Sequence, residues 1–266
     1  MRYKTLLFIC ICFSFVMRLS AQDSINKQKV NKYNFPEFFH EAGSYLKQPT
    51  KWKGGDLLKM SAIGVVTFSL MQVDEKIRRT ALNNPKYAKS LPMEIGKQWG
   101  GFFFIPITAV TLLTHGAISH NQTTKKLGFE IAEAVIFSET TTFISKGFIG
   151  RSRPFTNHGA FDYHPFTFFN SPHNSFPAGH VGAAFALSSV LSKNVDSGFL
   201  KVIAYIPAFL TAASRVYQDE HWTSDVFLGG SIGLLVGNWV VNLHENKDSR
   251  VQVSSLYPLS VKISLN

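Results

Sequence analysis

The sequence predicts an all-α protein, a bundle of about six apolar helices that is embedded in a membrane or associated with one. Six long apolar segments, rich in Ala, Leu, Ile and Gly and poor in strand signals, support this fold class. They cover residues 60–73, 99–118, 129–148, 181–192, 202–213 and 226–243. No linker or internal repeat divides the 266 residues, so we expect one domain.

Residues 1–21 have the layout of a secretory signal peptide. A basic start precedes an apolar run over residues 5–16, and the segment ends in the small residues Ser20 and Ala21. An uncleaved anchor helix is the alternative, although the run is shorter than the ~20 residues that a membrane span needs. Both interpretations predict an exported protein of the periplasm or the cell-envelope membrane.

Cysteine content and net charge limit the reactions and the binding partners that the chain can have. Both cysteines, Cys10 and Cys12, lie in the predicted leader, so a cleaved chain would work without thiols. The formal charge of +10 falls to +7 without the leader, which contributes three cations and no acid. This excess favours anionic partners such as phospholipid headgroups or phosphorylated substrates. Nucleic acid would fit the charge but not the export, so we expect no nucleic-acid partner.

Three regions follow the leader. Residues 22–56 are polar with scattered aromatic side chains and predict an extended or loosely helical lead-in. Residues 57–245 form the predicted helical domain, which carries the three motifs described below within a core of about 95–245. Residues 246–266 form a C-terminal tail.

The number of membrane spans stays open at this point. Only residues 99–118 and 226–243 approach the ~20 uncharged residues of a span. Other segments are shorter or carry acids such as Glu133, which are costly at membrane depth. If every segment crossed, the first motif below would face the cytoplasm, so for an outward-facing site we expect residues 60–73 not to cross.

The first motif is a pair of cations, Lys146 and Arg153, directly before Pro154. Their spacing puts both on one face of a helix, and Pro154 disfavours helical geometry at Arg153 and ends the element. Basic residues are common at helix C-termini, so a structural role is the favoured explanation of this motif taken alone.

The second motif, Pro177-Ala178-Gly179-His180, comes directly before an apolar run. A turn that opens a helix leaves free backbone N–H groups, which form an anion site. Gly179 would let a phosphate approach the backbone, and His180 could transfer a proton beside it. An ordinary turn with a capping histidine is the alternative.

The third motif runs from Ser214-Arg215 to His221 and Asp225, and it opens another apolar helix. The i, i+4 spacing of His221 and Asp225 predicts neighbours on one helical face. The carboxylate would then bond one ring nitrogen and leave the other as a nucleophile. In an up-and-down bundle, all three motifs fall at the same end.

Together these motifs resemble the type 2 phosphatidic acid phosphatase superfamily, which includes bacterial acid phosphatases and vanadium haloperoxidases. The family pattern is Lys-six-Arg-Pro, then Pro-Ser-Gly-His, then Ser-Arg-five-His-three-Asp, and the chain keeps every spacing over residues 95–245. One position departs, because Ala178 stands where the family has serine. Loss of that hydroxyl should weaken phosphoryl binding by about 1 kcal/mol or somewhat more, which lowers or retunes activity without abolishing it.

The resemblance implies a metal-independent phosphatase that needs no cofactor. It implies that His221 attacks phosphorus, that Asp225 holds its tautomer and that His180 protonates the leaving oxygen. The phosphate oxygens would be held by Lys146, Arg153, Arg215 and the Gly179 amide. The expected substrates are lipid phosphates or pyrophosphates at a membrane, with the site facing outside the cytoplasm. The alternatives are a soluble secreted acid phosphatase, a vanadate-dependent haloperoxidase and a catalytically silent binding protein.

Residues 156–174, between the first two motifs, are rich in aromatic side chains and histidine. They predict either a specificity loop for acyl or prenyl chains or a self-packed surface loop. A metal site formed by His158, Asp162 and His164 has no recognised spacing, so we expect none.

Overall fold

The computed structural model describes residues 33–249, and over this range it confirms the all-α prediction. The α-helices are α1 (Phe35–Leu46), α2 (Gly54–Met71), α3 (Asp74–Leu82), α4 (Pro85–Ala88), α5 (Leu91–Trp99), α6 (Phe104–Ile118), α7 (Gln122–Ile149), α8 (Gly179–Lys193), α9 (Gly198–Ile203), α10 (Ile206–Tyr217) and α11 (Thr223–Ser249). Short 3₁₀ turns occur at Gln48–Lys51, Pro154–Thr156 and Ser171–His173. The predicted leader lies outside the described residues, as does most of the predicted tail.

Helix α8 lies at the centre of the bundle, packed between α7 and α11. Helices α8 and α11 run parallel and touch through small residues: a β-carbon on Gly233 would lie 2.0 Å from the Gly182 carbonyl oxygen. The surrounding core consists of buried apolar side chains, among them Leu112, Ile131, Leu187, Leu191 and Val240. Because the two helices are parallel and in close contact, their N-termini lie side by side, and the second and third motifs sit at those N-termini.

Two segments differ from the sequence-based expectation. Residues 99–118 were expected as one segment, but the chain breaks at Gly100 and Gly101, and α5 meets α6 at 54°. The lead-in contains a well-formed helix, α1. Its first turn is stabilised by the Asn34 side chain, which accepts a hydrogen bond from the Glu37 amide at 3.1 Å.

Three helical runs are long and apolar enough to cross a membrane, namely Gly54–Met71, Gly198–Tyr217 and Thr223–Glu245. The bent pair α5–α6 would add a fourth. Only 6% of α2 is buried inside the bundle, and apolar side chains such as Leu58 and Phe68 are exposed. Soluble proteins rarely expose so much contiguous apolar surface. The expectation that residues 60–73 do not cross finds no support in this helix, which begins at Gly54 and is 18 residues long.

Candidate active site

The structure brings the motif residues to one end of the bundle. Lys146 lies in the last turn of α7, and His180 lies in the first turn of α8. Arg215 lies in the last turn of α10, and Asp225 lies in the first turn of α11. The motifs also touch, since the Ala178 amide donates to the Asp225 carbonyl oxygen at 3.0 Å.

His221 and Asp225 lie close together as predicted, but the predicted placement on one helix with a direct hydrogen bond is wrong. Helix α11 begins at Thr223, so His221 precedes it, and His221 Nδ1 lies 3.8 Å from Asp225 Oδ2, beyond a hydrogen bond. Asp225 instead accepts the Trp222 amide at 2.9 Å, the reach-back contact of a capping box.

Ser175 connects the two residues. Its hydroxyl donates to Asp225 Oδ2 at 2.5 Å, which leaves Ser175 Oγ to accept from His221 Nδ1, 3.4 Å away. With its proton on Nδ1, the imidazole carries its lone pair on Nε2. Ser175 lies two residues before the second motif, and the motif pattern gives it no role.

His221 has the environment of a nucleophile. Its side chain is 2% exposed, and Nε2 has no hydrogen-bond partner among the described residues. Burial, followed by the charges of Arg153 and Lys146, holds the pKa of His221 well below its ordinary value. The imidazole is therefore neutral at neutral pH, as a nucleophilic nitrogen must be.

His180 reaches solvent at the mouth of the site, yet protein atoms form most of its surroundings. The partial desolvation, then the charges of Arg215 and Lys146, lower the pKa of His180 to about 4. An anionic ligand would offset these cations and raise the pKa, so His180 would gain its proton when phosphate binds.

A single carboxylate, Glu220, holds two of the predicted phosphate-binding arginines. Arg153 Nη1 donates to Glu220 Oε2 at 2.6 Å, and Arg215 Nη2 lies 3.5 Å from the same oxygen. Arg215 Nε has no partner among the described residues. Both guanidinium groups are thus positioned around one anionic oxygen.

Lys146 and Gly179 meet at the start of α8. A β-carbon on Gly179 would lie 3.3 Å from Lys146 Nζ and 2.9 Å from Glu139 Oε2. Any larger residue would crowd the space between the lysine and the helix N-terminus, so glycine keeps this approach open. Glu139 was not predicted from the sequence as part of the site.

A buried ion network supports the site and was missed. Arg151 is 0% exposed and donates to Asp225 Oδ1 at 2.5 Å and to Asp74 Oδ2 at 2.9 Å. The Ser224 hydroxyl donates to Asp74 Oδ2 at 2.5 Å. Arg151 lies inside the first motif, but Asp74 is distant in sequence, and only the fold brings it to the N-terminus of α11.

The loop over residues 156–174 is both packed and partly exposed. The Ser152 amide donates to the Asp162 carbonyl at 2.9 Å, and Phe168 packs edge-on against Phe148 of α7. Phe166 and Phe169, in contrast, are 71% and 92% exposed. His164 Nε2 lies 2.9 Å from Asp162 Oδ2 and His158 Nδ1 lies 3.5 Å from it.

Comparison with known proteins places this geometry in a family. Residues 127–249 match the model of the PAP2 superfamily, a range that contains all three motifs. This part of the chain belongs to the PAP2 superfamily. The match excludes α1 to α6 and the first five residues of α7, so Asp74 lies outside it, as does Glu41, which is discussed below.

Two curated relatives and one solved structure are similar to parts of this chain. A lipid A 1-phosphatase of Porphyromonas gingivalis is 37% identical over 75 residues, 26% of this chain and 17% of the relative. An undecaprenyl-diphosphatase of Sulfolobus acidocaldarius is 25% identical over 159 residues, 59% of this chain and 66% of the relative. The chain thus spans less than two thirds of either relative.

A transmembrane PAP2-type phosphatidylglycerolphosphate phosphatase from Bacillus subtilis shares the fold, with a TM-score of 0.54 and 22% identity. The similarity covers 70% of this chain and 96% of that one. This likeness shows that the two chains share the helical fold.

Proposed function

We propose that the chain is a membrane lipid phosphatase that hydrolyses phosphomonoesters or pyrophosphates through a phosphohistidine. The observation that carries the proposal is the His221 imidazole: it is buried and neutral, its Nε2 has no partner among the described residues, and three cations surround it. Phosphoryl transfer needs mainly positioning and charge stabilisation, which this arrangement offers.

The proposed reaction has two steps. First, His221 Nε2 attacks phosphorus while the bond to the leaving oxygen breaks, and His180 donates its proton to that oxygen. Next, His180 removes a proton from water, the water oxygen attacks phosphorus, and the P–N bond breaks to release inorganic phosphate. Throughout, Lys146, Arg153, Arg215 and the Gly179 amide would bind the phosphoryl oxygens.

The surface beside the site supports a lipid substrate. Phe166 and Phe169 expose their rings on the loop next to Arg153, and the nearby Phe148 is also exposed. The candidate spans expose long apolar faces. The relatives named above act on lipid A and on undecaprenyl diphosphate. We therefore propose a phosphorylated lipid with an acyl or prenyl chain that lies along these aromatic side chains.

We also propose that the site faces outside the cytoplasm, as the leader-like residues 1–21 suggest. Arg78 binds Asp219 beside the site at 2.7 Å, so the start of the basic stretch over residues 76–97 lies at the same end. The positive-inside rule alone would put that end in the cytoplasm. Residues 13–266 contain no cysteine, so a Phe161→Cys variant carries one thiol beyond the leader. Labelling of that thiol by an impermeant maleimide in intact cells supports the outward orientation, and labelling only after lysis refutes it.

The test of activity is phosphate release from a short-chain phosphatidate and from a prenyl diphosphate, in detergent and excess EDTA. His221→Ala is compared with His115→Ala, an exposed histidine of α6 outside the site. Release that persists in EDTA and in His115→Ala but vanishes in His221→Ala supports the proposal. Vanadate-dependent halide oxidation without phosphate release would favour a haloperoxidase, and phosphate-analogue binding without turnover would favour a silent relative.

A further inference from the structure

A second polar cluster lies inside the bundle, roughly 28 Å from the active site along α11 at 1.5 Å per residue. His244 of α11 is surrounded there by Glu41 of α1 and by Glu130 and Glu133 of α7. Their exposed fractions are 3%, 0%, 0% and 1%, respectively. The proposed phosphatase reaction uses none of these residues.

Each nitrogen of the His244 ring faces carboxylate oxygens. Nδ1 lies 3.2 Å from Glu130 Oε1, while Nε2 lies 3.0 Å from Glu41 Oε2 and 3.1 Å from Glu133 Oε2. The contacts of Nδ1 with Glu130 and of Nε2 with Glu41 have hydrogen-bond geometry. Neither oxygen of Glu133 accepts a hydrogen bond from any residue in the described part of the chain. A carboxylate buried in this way is costly without a further partner.

Carboxylates outnumber imidazoles in this cluster. Three carboxylates face one imidazole, and Lys126 Nζ lies 3.7 Å from Glu130 Oε1. Carboxylate oxygens together with an imidazole nitrogen form a donor set that divalent cations bind.

The spacing of the donor atoms fits a metal ion. Ligand atoms at ~2.0–2.2 Å from a tetrahedral Zn²⁺ lie ~3.3–3.6 Å apart, close to the 3.0 and 3.1 Å around Nε2. The donor atoms of Glu41, Glu133 and His244 all lie within 4.8 Å of one another. Glu130 would bond Nδ1–H and orient the ring, as second-sphere carboxylates do in histidine–metal sites. Asn194 Nδ2 donates to Glu130 at 2.8 Å and holds that carboxylate in turn.

We propose that Glu41, Glu133 and His244 bind a divalent transition-metal cation that links α1 to α7 and α11. The site is independent of the phosphatase reaction, and its oxygen-rich, single-imidazole donor set suits Zn²⁺ or Mn²⁺. Helix α1 lies outside the residues that match the PAP2 family, so the site attaches this additional helix to the shared core. Metal binding should therefore stabilise the fold without supplying chemistry.

The test uses the full-length protein in detergent, stripped with chelator and reloaded with Zn²⁺. We expect about one Zn²⁺ per chain and a rise in melting temperature on loading. Glu133→Gln should abolish both, and Glu130→Gln should weaken Zn²⁺ binding by about 10- to 100-fold, as loss of a second-sphere partner does. Phosphate release at permissive temperature should be unchanged in Glu133→Gln, which separates this test from that of the proposed function.

A matched control removes the other group of donor atoms. Asp162, His164 and His173 also lie within 4.8 Å of one another but are partly exposed. A His164→Ala/His173→Ala variant should keep the full Zn²⁺ content and the full thermal shift. Equal Zn²⁺ binding by Glu133→Gln and wild type, or a zinc-free wild type without a thermal shift, would overturn the proposal. If Glu133→Gln fails to fold, the wild type is loaded with Co²⁺ instead and its visible absorption is measured. A d–d band typical of a protein site with one imidazole ligand supports the proposal, and a spectrum without that band refutes it.

Discussion

Replacement of Ser175 by alanine tests the link between the acid and the nucleophile. The Ser175 hydroxyl donates to Asp225 Oδ2 at 2.5 Å and lies 3.4 Å from His221 Nδ1, whereas the direct carboxylate–imidazole distance is 3.8 Å. In Ser175→Ala the imidazole loses this acceptor, and the carboxylate is too far away to replace it. The tautomer that carries its proton on Nδ1 and its lone pair on Nε2 is then no longer stabilised by this hydrogen bond.

The magnitude follows from the charge on the carboxylate. A hydrogen bond to a charged group contributes about 1.5–3 kcal/mol, and each 1.4 kcal/mol is tenfold in rate. We therefore expect kcat for a short-chain lipid phosphate to fall roughly 10- to 150-fold, with KM little changed. The assay is steady-state phosphate release in detergent, on protein whose helical circular dichroism matches the wild type.

Ser224→Ala is the control for loss of a buried hydroxyl. Ser224 bonds Asp74 and Arg151 in the same network but has no hydrogen bond to His221. This variant should lower the melting temperature while kcat changes less than in Ser175→Ala. A folded Ser175→Ala enzyme with kcat within about twofold of the wild type would refute the relay from Asp225 through Ser175 to His221.

Three further predictions follow from the site. His180→Ala should slow cleavage of an alkyl phosphate by about 10²- to 10⁴-fold. The rate with p-nitrophenyl phosphate should change little, because its leaving group needs no proton. Equal falls in rate for the two substrates would contradict the general-acid role. Because burial and cations lower the pKa of His180 to about 4, its protonated fraction falls above that pH in the free enzyme, whereas bound phosphate offsets the cations. The alkaline limb of kcat should therefore lie at higher pH than that of kcat/KM, and pH–rate profiles with one common limb would oppose this. Arg151→Met should destabilise the fold by about 3–5 kcal/mol, seen in thermal or denaturant unfolding, because it leaves Asp74 and Asp225 as unpaired buried carboxylates.

Restoring the family hydroxyl is a separate prediction. Ala178 is the N-cap of α8 and makes no side-chain cap. Ala178→Ser should cap the helix, which stabilises the protein by about 0.5–2 kcal/mol, and should add a donor to bound phosphate. We expect a higher melting temperature and a rise in kcat/KM of about fivefold. A drop in both would mean that the fully buried position has no room for the hydroxyl.

Sequence patterns were enough to predict the fold class, because few architectures other than a helical bundle are compatible with long apolar segments that lack strand signals. They also indicated that Lys146, His180 and Asp225 meet, since motifs at consecutive helix ends of a bundle share one face. They failed where a short turn replaces a helix: His221 and Asp225 have helical spacing, but α11 begins between them.

Contacts between distant parts of the chain could not be predicted in this way. Asp74 reaches Arg151 across 77 positions, and Glu41 reaches His244 across 203. No local periodicity encodes such pairs. A buried arginine requires carboxylate partners. Arg151 in the first motif therefore indicated that a distant acid such as Asp74 would be needed beside it.

The most direct test of the central claim is to trap the phosphorylated enzyme. Wild-type protein is mixed with a ³²P-labelled short-chain lipid phosphate and quenched with alkali within the first turnover, because phosphohistidine is stable to base and labile to acid. The account predicts a base-stable label that maps to the peptide containing His221, is lost in His221→Ala and persists in His115→Ala. Turnover without any labelled protein, or with a label that remains in His221→Ala, would contradict it.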